Sequence, residues 1–194
     1  MPQAQRQLET RFTYGDYRTW PDSERWELIH GVPYDMSPAP SRSHQALITE
    51  FIFQFRSFLQ DKVCRIYPAP FDVRLPEGDE ADDDIETVVQ PDLVVVCDRD
   101  KLDEKGCKGA PDLVIEILSP STAAKDLHEK FTLYERAGVK EYWIVHPQDR
   151  TVMVFKREGE RFGRAAMYAG EDRINVPLLG ELVIDLKQAF SSAE

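Results

Sequence analysis

Two acidic residues stand where acids are out of place. Glu116 interrupts Asp112 to Leu118 (DLVIEIL), a short, nearly continuous apolar run, and by alternation shares a strand face with Val114 and Leu118. A carboxylate there is costly unless it is paired or metal-bound. Asp92 follows Pro91 and opens a comparable run, Asp92 to Cys97 (DLVVVC). Alone, an acid at a strand start is an ordinary turn residue. Two acids on adjacent buried strands would reach one hard cation, and Mg²⁺ sites commonly use one or two carboxylates, with water and substrate phosphate as the rest. Asp92 and Glu116 are therefore read as a metal site for Mg²⁺, with Mn²⁺ as a substitute. The competing reading of Glu116 is a buried acid paired to an arginine or a capped backbone.

Lys130 is the third misplaced charge. On a wheel of about 100° per residue, Ala123, Asp126, Leu127, Leu133, Tyr134 and Ala137 all fall within about 60° of it, and Lys125 projects to the other side. Lys130 thus occupies the middle of an apolar helix face that should pack on the sheet. A snorkelling lysine or a pair with Asp126 at i,i+4 is the plain reading. The chemical reading is an ammonium aimed at the two carboxylates, where it would orient an attacking water and offset charge on a phosphorane-like transition state. Asp112 shares the strand face of Glu116, but four residues along a strand is roughly 13 Å. It is a poor partner for the same metal.

The elements that must hold these residues are legible. Ser41 to Lys62 carries Leu47, Ile48, Phe51, Ile52, Phe55, Phe58 and Leu59 at helical spacing, with Ser41 or Ser43 as N-cap. A short helix is expected near Thr13 to Trp20. Trp26 to Met36 reads as a hairpin turning at His30-Gly31, with Pro33 marking an edge. Strands are expected at Cys64 to Tyr67 and Phe71 to Leu75, and the two apolar runs should be central strands covered on both faces. A helix over about Thr122 to Ala137, ended by Gly138, leads to a strand at Glu141 to Val145, which implies a right-handed parallel crossover. Thr151 to Lys156 and Arg161 to Tyr168 form a hairpin, and Glu181 to Ile184 a last short strand. The fold class is α/β, a mixed central sheet flanked by helices, in a single domain over 1–194 with a polar tail (1–12) and an acidic loop (77–87).

Composition narrows the class. No apolar run approaches the roughly 20 residues of a membrane helix, and Met1 to Thr10 lacks the apolar stretch of a signal peptide, so a cytoplasmic protein is expected. Cys64, Cys97 and Cys107 do not make an even disulfide framework. Cys97 is read as a small core residue, and Cys107 as a thiol in a polar loop. The net charge of −11 argues against a protein that coats nucleic acid through counterion release. Seven acids fall within the ten residues Glu77 to Glu86, which reads as a solvated loop with almost nothing to bury.

A PD dipeptide, an acid inside an apolar strand and a helix carrying a lysine resemble the PD-(D/E)XK nuclease superfamily. More closely, the chain is similar to the Uma-type family of putative restriction endonucleases. The similarity runs from about Tyr14 to Ile184. It rests on ELIHG (Glu27 to Gly31), M-S-P-x-P-S-x-x-H (Met36 to His44), QPDL (Gln90 to Leu93), APDLVIEILSPST (Ala110 to Thr122), D-x-x-x-K (Asp126 to Lys130) and Y-x-x-x-G-V-x-E-Y-W-I-V (Tyr134 to Val145). The resemblance implies a restriction-endonuclease-like fold, with Asp92 and Glu116 as metal ligands. The standard motif places its lysine two residues after the acid, where this chain has Leu118, so Lys130 on the following helix takes that role. Glu27 matches an acid supplied from an early element, for a second metal or water contact. His44 matches a position that would contact a phosphate or position water, with capping or packing as its plain reading, and Asp72 in FDVRL approaches the same region.

The implied activity is Mg²⁺-dependent hydrolysis of DNA phosphodiester bonds, in a homodimer suited to cutting both strands. The alternatives are a catalytically weak or inactive binding module of the same fold, and an RNA or repair nuclease. No recognition helix, zinc finger or base-stacking aromatic motif is visible in the sequence.

Overall fold

The two apolar runs are neighbouring strands inside the larger sheet of the computed structural model, which describes residues 10–21, 23–36, 39–119 and 126–193. In chain order the elements are α1 (Tyr14–Tyr17), β1 (Trp26–Ile29), β2 (Val32–Asp35), α2 (Arg42–Leu59), β3 (Arg65–Pro68), β4 (Val73–Arg74), β5 (Val88–Val89), β6 (Leu93–Val96), β7 (Leu102–Asp103), β8 (Gly106–Lys108) and β9 (Leu113–Ile117). A π-helical turn (Asp126–Lys130) then runs into α3 (Phe131–Ala137). It is followed by β10 (Glu141–His146), β11 (Thr151–Glu158), β12 (Arg161–Phe162), β13 (Ala166–Ala169), β14 (Arg173–Val176), β15 (Leu182–Asp185) and α4 (Leu186–Ser192).

The larger sheet runs β12-β11-β10-β9-β6-β3, with β13 also paired to β11. The β9–β10 pair is parallel, as a crossover through a helix requires, and the pairs on either side of it are antiparallel. The smaller sheet runs β2-β1-β5-β4-β8-β7. Its first hairpin turns on His30 and Gly31, both at positive φ (50° and 75°), and Pro33 lies on the edge strand, where its missing N–H costs no ladder bond.

Alternation along β9 divides the interior. Leu113, Ile115 and Ile117 pack with Leu47, Phe51, Phe55 and Leu59 of α2, and with the C-terminal hairpin and α4. Each such apolar side chain, once buried, contributes about 1.5–3 kcal/mol. Val114 and Leu118 face the other way, against Val73, Leu75 and Val89 of the smaller sheet and Leu133 and Tyr134 of α3. Glu116 belongs to this second face. Sequence periodicity places it there before any contact is known.

Several expectations need correction. Cys64 and Cys97 are joined in a disulfide, one register step beyond the Arg65–Val96 pair of β3 and β6. Cys107 lies in β8 rather than in a polar loop and is fully buried, and burial pushes its thiol up to about 11. The acidic stretch is not wholly solvated: Ile85 is fully buried beside Tyr14, Leu28 and Val88. The helix expected from about Thr122 enters the described residues as a π-helical turn, so a wheel at 100° per residue does not hold across 126–130. Residues 122–125, including Ala123 and Lys125, and the side chains of Asp126 and Leu127 lie outside the described residues. β14 and α4 were not expected.

Arg74 is the structural reason the acidic stretch docks. It is 0% exposed on β4, with Nη1 donating to both oxygens of Asp82 (2.7 and 2.6 Å) and Nη2 to both oxygens of Asp103 (2.7 and 2.7 Å). Burial pushes both carboxyls up, but the ion pairs with Arg74, joined at Asp82 by Lys105, outweigh it and hold both below the usual range. Arg74→Met should lower the urea midpoint by the equivalent of roughly 3 kcal/mol, at the low end for a broken buried pair because both acids reach solvent. With the folded pKa values depressed, this contribution is present above about pH 4 and lost as pH falls through them. Urea titrations of both proteins at pH 7 and pH 3 should therefore show the difference shrink.

Candidate active site

The β6–β9 register sets the site. Leu93 pairs with Ile115, so the next step places Asp92 opposite Glu116. Opposed residues of an antiparallel pair project to the same face. Asp92 is pinned through Oδ2, which accepts the Ile117 N–H at 2.7 Å and lies 3.1 Å from His44 Nε2. The Asp92 N–H points at Glu116 Oε2 at 3.4 Å. His44 is held in the first turn of α2, where the Ser41 hydroxyl caps its N–H at 3.2 Å.

Glu116 is 3% exposed. Its Oε1 accepts two donors from consecutive helical turns, Lys130 Nζ at 2.9 Å and the Tyr134 hydroxyl at 2.7 Å. Lys130 is itself 3% exposed, and its Nζ also lies 2.8 Å from Glu27 Oε1. Glu27, fully buried on β1, takes the Gln90 N–H on that same oxygen at 2.9 Å. One ammonium therefore bridges two buried carboxylates, and a third, Asp92, stands beside them. Its side chain is 19% exposed, against 4% or less for Glu27, Glu116 and Lys130, so Asp92 marks the mouth of the cluster.

A family model described as Uma2, putative restriction endonuclease, matches residues 14–187. The chain belongs to the Uma2 family. A Synechocystis protein described as uncharacterised, slr1290, is 24% identical over 169 residues, covering 85% of this chain and 84% of its own. The crystal structure of a putative nuclease belonging to DUF820 from Anabaena variabilis superposes with a TM-score of 0.75 at 21% identity, over 94% of this chain and 99% of that one. At that identity the likeness concerns the fold, which is restriction-endonuclease-like.

On this Uma2 chain the structure brings all four candidate residues, Glu27, Asp92, Glu116 and Lys130, into one cluster, with His44 attached through Asp92. Asp72 is not in direct contact with it. Its Oδ1 accepts from the Tyr17 hydroxyl (3.0 Å) and Gln90 Nε2 (2.9 Å), one residue removed from the cluster. Asp112 sits at the other end of β9, bound to Lys140 Nζ and the Cys97 N–H. Leu118, where the standard motif has its lysine, is a core residue.

Sequence reasoning missed Tyr134 and Gln90. Tyr134 enters the sequence reading as part of an apolar stripe and as the first residue of a family motif, without a role at the site. A phenol one helical turn after a buried lysine was the signal available. Gln90 was read as part of QPDL and given no role. Its backbone N–H holds Glu27, while its side chain is saturated by Arg25, Tyr17 and Asp72.

Among the described residues, no three His, Cys, Asp or Glu side chains form a group spaced to hold a metal. The donor chemistry nevertheless fits a hard divalent cation. Asp92 and Glu116 offer carboxylate oxygens from opposed positions, and the three carboxylates of Glu27, Asp92 and Glu116 outnumber the one ammonium, which bridges two of them, so the cluster carries surplus negative charge. Mg²⁺ keeps several waters and needs few protein ligands. Among the described residues, no helix is long and apolar enough to cross a membrane.

Proposed function

We propose that this chain is a Mg²⁺-dependent endonuclease that hydrolyses phosphodiester bonds in DNA, with Asp92 and Glu116 as the metal-holding residues. The observation that carries this reading is the placement of Lys130. It arrives from a different element and puts its ammonium 2.9 Å from Glu116 Oε1, opposite Asp92. A lysine beside the strand acid is what the family motif calls for, and here it comes from the helix instead of from position 118.

Bound Mg²⁺ would lower the pKa of a water and neutralise phosphate charge. The chain's own residues do the rest. Asp92, held rigid by the Ile117 N–H, presents its carboxylate at the mouth. Lys130 fixes Glu116 and places positive charge near the reacting phosphate, where it stabilises charge built up in the transition state. Glu27 acts through Lys130: anchored by the Gln90 N–H, it holds the ammonium from behind and is a positioning residue. The surplus of carboxylates repels a phosphate until a divalent cation balances it, which makes the reaction strictly metal-dependent. A homodimer would let two such sites cut the two strands of a duplex.

Supercoiled plasmid is the direct substrate. Purified protein with Mg²⁺ or Mn²⁺ should nick it, EDTA should stop the reaction, and Glu116→Gln should lower the rate at least 100-fold, roughly the value of a lost transition-state contact. Metal-dependent nicking that survives Glu116→Gln refutes the site. A well-folded wild-type protein that cuts neither DNA nor RNA favours the alternative, a binding module retaining the nuclease fold.

A further inference from the structure

We infer that Tyr67 and Phe71 form a stacking subsite for one unpaired nucleobase next to the phosphate that a metal at Asp92 and Glu116 would bind. This deepens the nuclease reading and rests on it for the identity of the ligand. Tyr67 lies on β3, the edge strand of the larger sheet, directly opposite Val94. Val94 is two residues from Asp92 on the same strand face, so Tyr67 and Asp92 are diagonal neighbours with Cβ atoms about 7–8 Å apart. The Ala69 N–H bonds the Asp92 carbonyl at 3.0 Å, so the chain leaving β3 wraps around the same corner. It brings Phe71 back onto Tyr67 with ring centroids 4.5 Å apart and planes 5° from parallel. Among the described residues this is the closest and flattest ring pair. The interior pairs Phe131–Phe155 and Tyr134–Tyr142 meet edge-on, at 78° and 70°. Both residues of the Tyr67–Phe71 pair are half-buried: they pack against the core on the Glu116 side of the sheet and keep part of their surface in solvent.

A flat two-ring slab beside a phosphate site suits a third flat ring. A net charge of −11 gives little affinity for nucleic acid through counterion release. Stacking is independent of charge and tolerant of sequence. A base inside a duplex is already stacked on its neighbours, so the slab takes a base that is single-stranded or turned out of the helix. The substrate class that follows is DNA with unpaired nucleotides at the cleavage point.

The test separates binding from cleavage. Glu116→Gln protein in Mg²⁺ is titrated, by fluorescence anisotropy, into a labelled 12-nucleotide single strand, the same strand made abasic, and the matching duplex. The base-bearing strand should bind roughly 5- to 100-fold more tightly than the abasic one, the usual range for loss of a stacked base. Tyr67→Leu and Phe71→Leu should each erase most of that ratio while their thermal unfolding stays cooperative. Equal binding of base-bearing and abasic strands, tighter binding of the duplex, or a ratio kept in both variants overturns the subsite. Base-selective binding by a chain that nicks nothing leaves the subsite standing and removes the nuclease reading. Efficient nicking without base preference does the reverse.

Discussion

Lys130→Met should cost the protein both stability and activity, with a pH signature that identifies the cause. The ammonium is 3% exposed and lies within 2.9 Å of Glu116 and Glu27. Removing it leaves two buried carboxylates without their shared cation, a change that typically costs about 3–5 kcal/mol. In the variant, burial favours the protonated form of those acids, so their folded-state pKa values rise above the unfolded ones. A raised carboxyl pKa contributes stability that is present below the unfolded value and lost as pH rises through the folded value. The variant's deficit in urea midpoint should therefore be smaller at pH 5 than at pH 8. Adding Glu27→Gln removes one of the orphaned charges and should recover part of the stability. It should not recover nicking, which falls roughly 100- to 1,000-fold in both proteins. A deficit independent of pH would mean that Lys130 matters through its packing and not through its charge.

The residues whose placement was most legible in the sequence were those whose type contradicted their surroundings. Glu116 and Lys130 each break an apolar pattern, and a pattern broken by a charge needs only local periodicity to be seen. Their meeting point also followed from neighbouring strands, because Asp92 and Glu116 occupy facing ends of two buried runs. What stayed hidden depended on pairing between segments distant in the chain. The Cys64–Cys97 bridge exists because the β3–β6 register places the two cysteines side by side, 33 residues apart, and no spacing rule encodes that. Docking of the acidic stretch depends on Arg74, whose partners come from 8 and 29 residues away. Strands β5, β7 and β8 of the smaller sheet have only two or three residues, too short for any alternation to register. The helix wheel turned Lys130 inward, where it is found, through an imperfect premise. The turn that ends at Lys130 is π-helical, and what brings the residue to Glu116 is its position at the start of α3. Tyr134 was overlooked for the opposite reason from Glu116. An aromatic in an apolar stripe breaks no pattern, and its hydroxyl leaves no mark on periodicity.

Tyr134→Phe removes one oxygen atom, and its consequence should be larger at the metal than in the fold. The hydroxyl donates to Glu116 Oε1 at 2.7 Å, on the same atom that takes Lys130. Two donors on one oxygen fix the rotation of the carboxylate, so the side of Glu116 that faces Asp92 is set from behind. Burial, and then the charge of Glu116, push the phenol well above its ordinary value against the opposing pull of Lys130. Tyr134 is therefore a neutral donor at and above neutral pH, and losing it should add no new inflection to a pH–rate profile there. A hydrogen bond to a charged group is worth about 1.5–3 kcal/mol, which sets the expected fall in stability. Groups that orient a metal-binding residue typically account for about 10- to 100-fold in metal affinity or rate. Nicking by the variant, titrated with Mg²⁺, should reach half-maximum at a concentration higher by about that factor. Raising Mg²⁺ should then restore more of the rate than it does for Lys130→Met, because the variant keeps the ammonium and has lost only the orientation of the ligand. If the Mg²⁺ curves of Tyr134→Phe and wild type coincide while the urea midpoint drops, Tyr134 is a packing residue, and Lys130 alone orients Glu116.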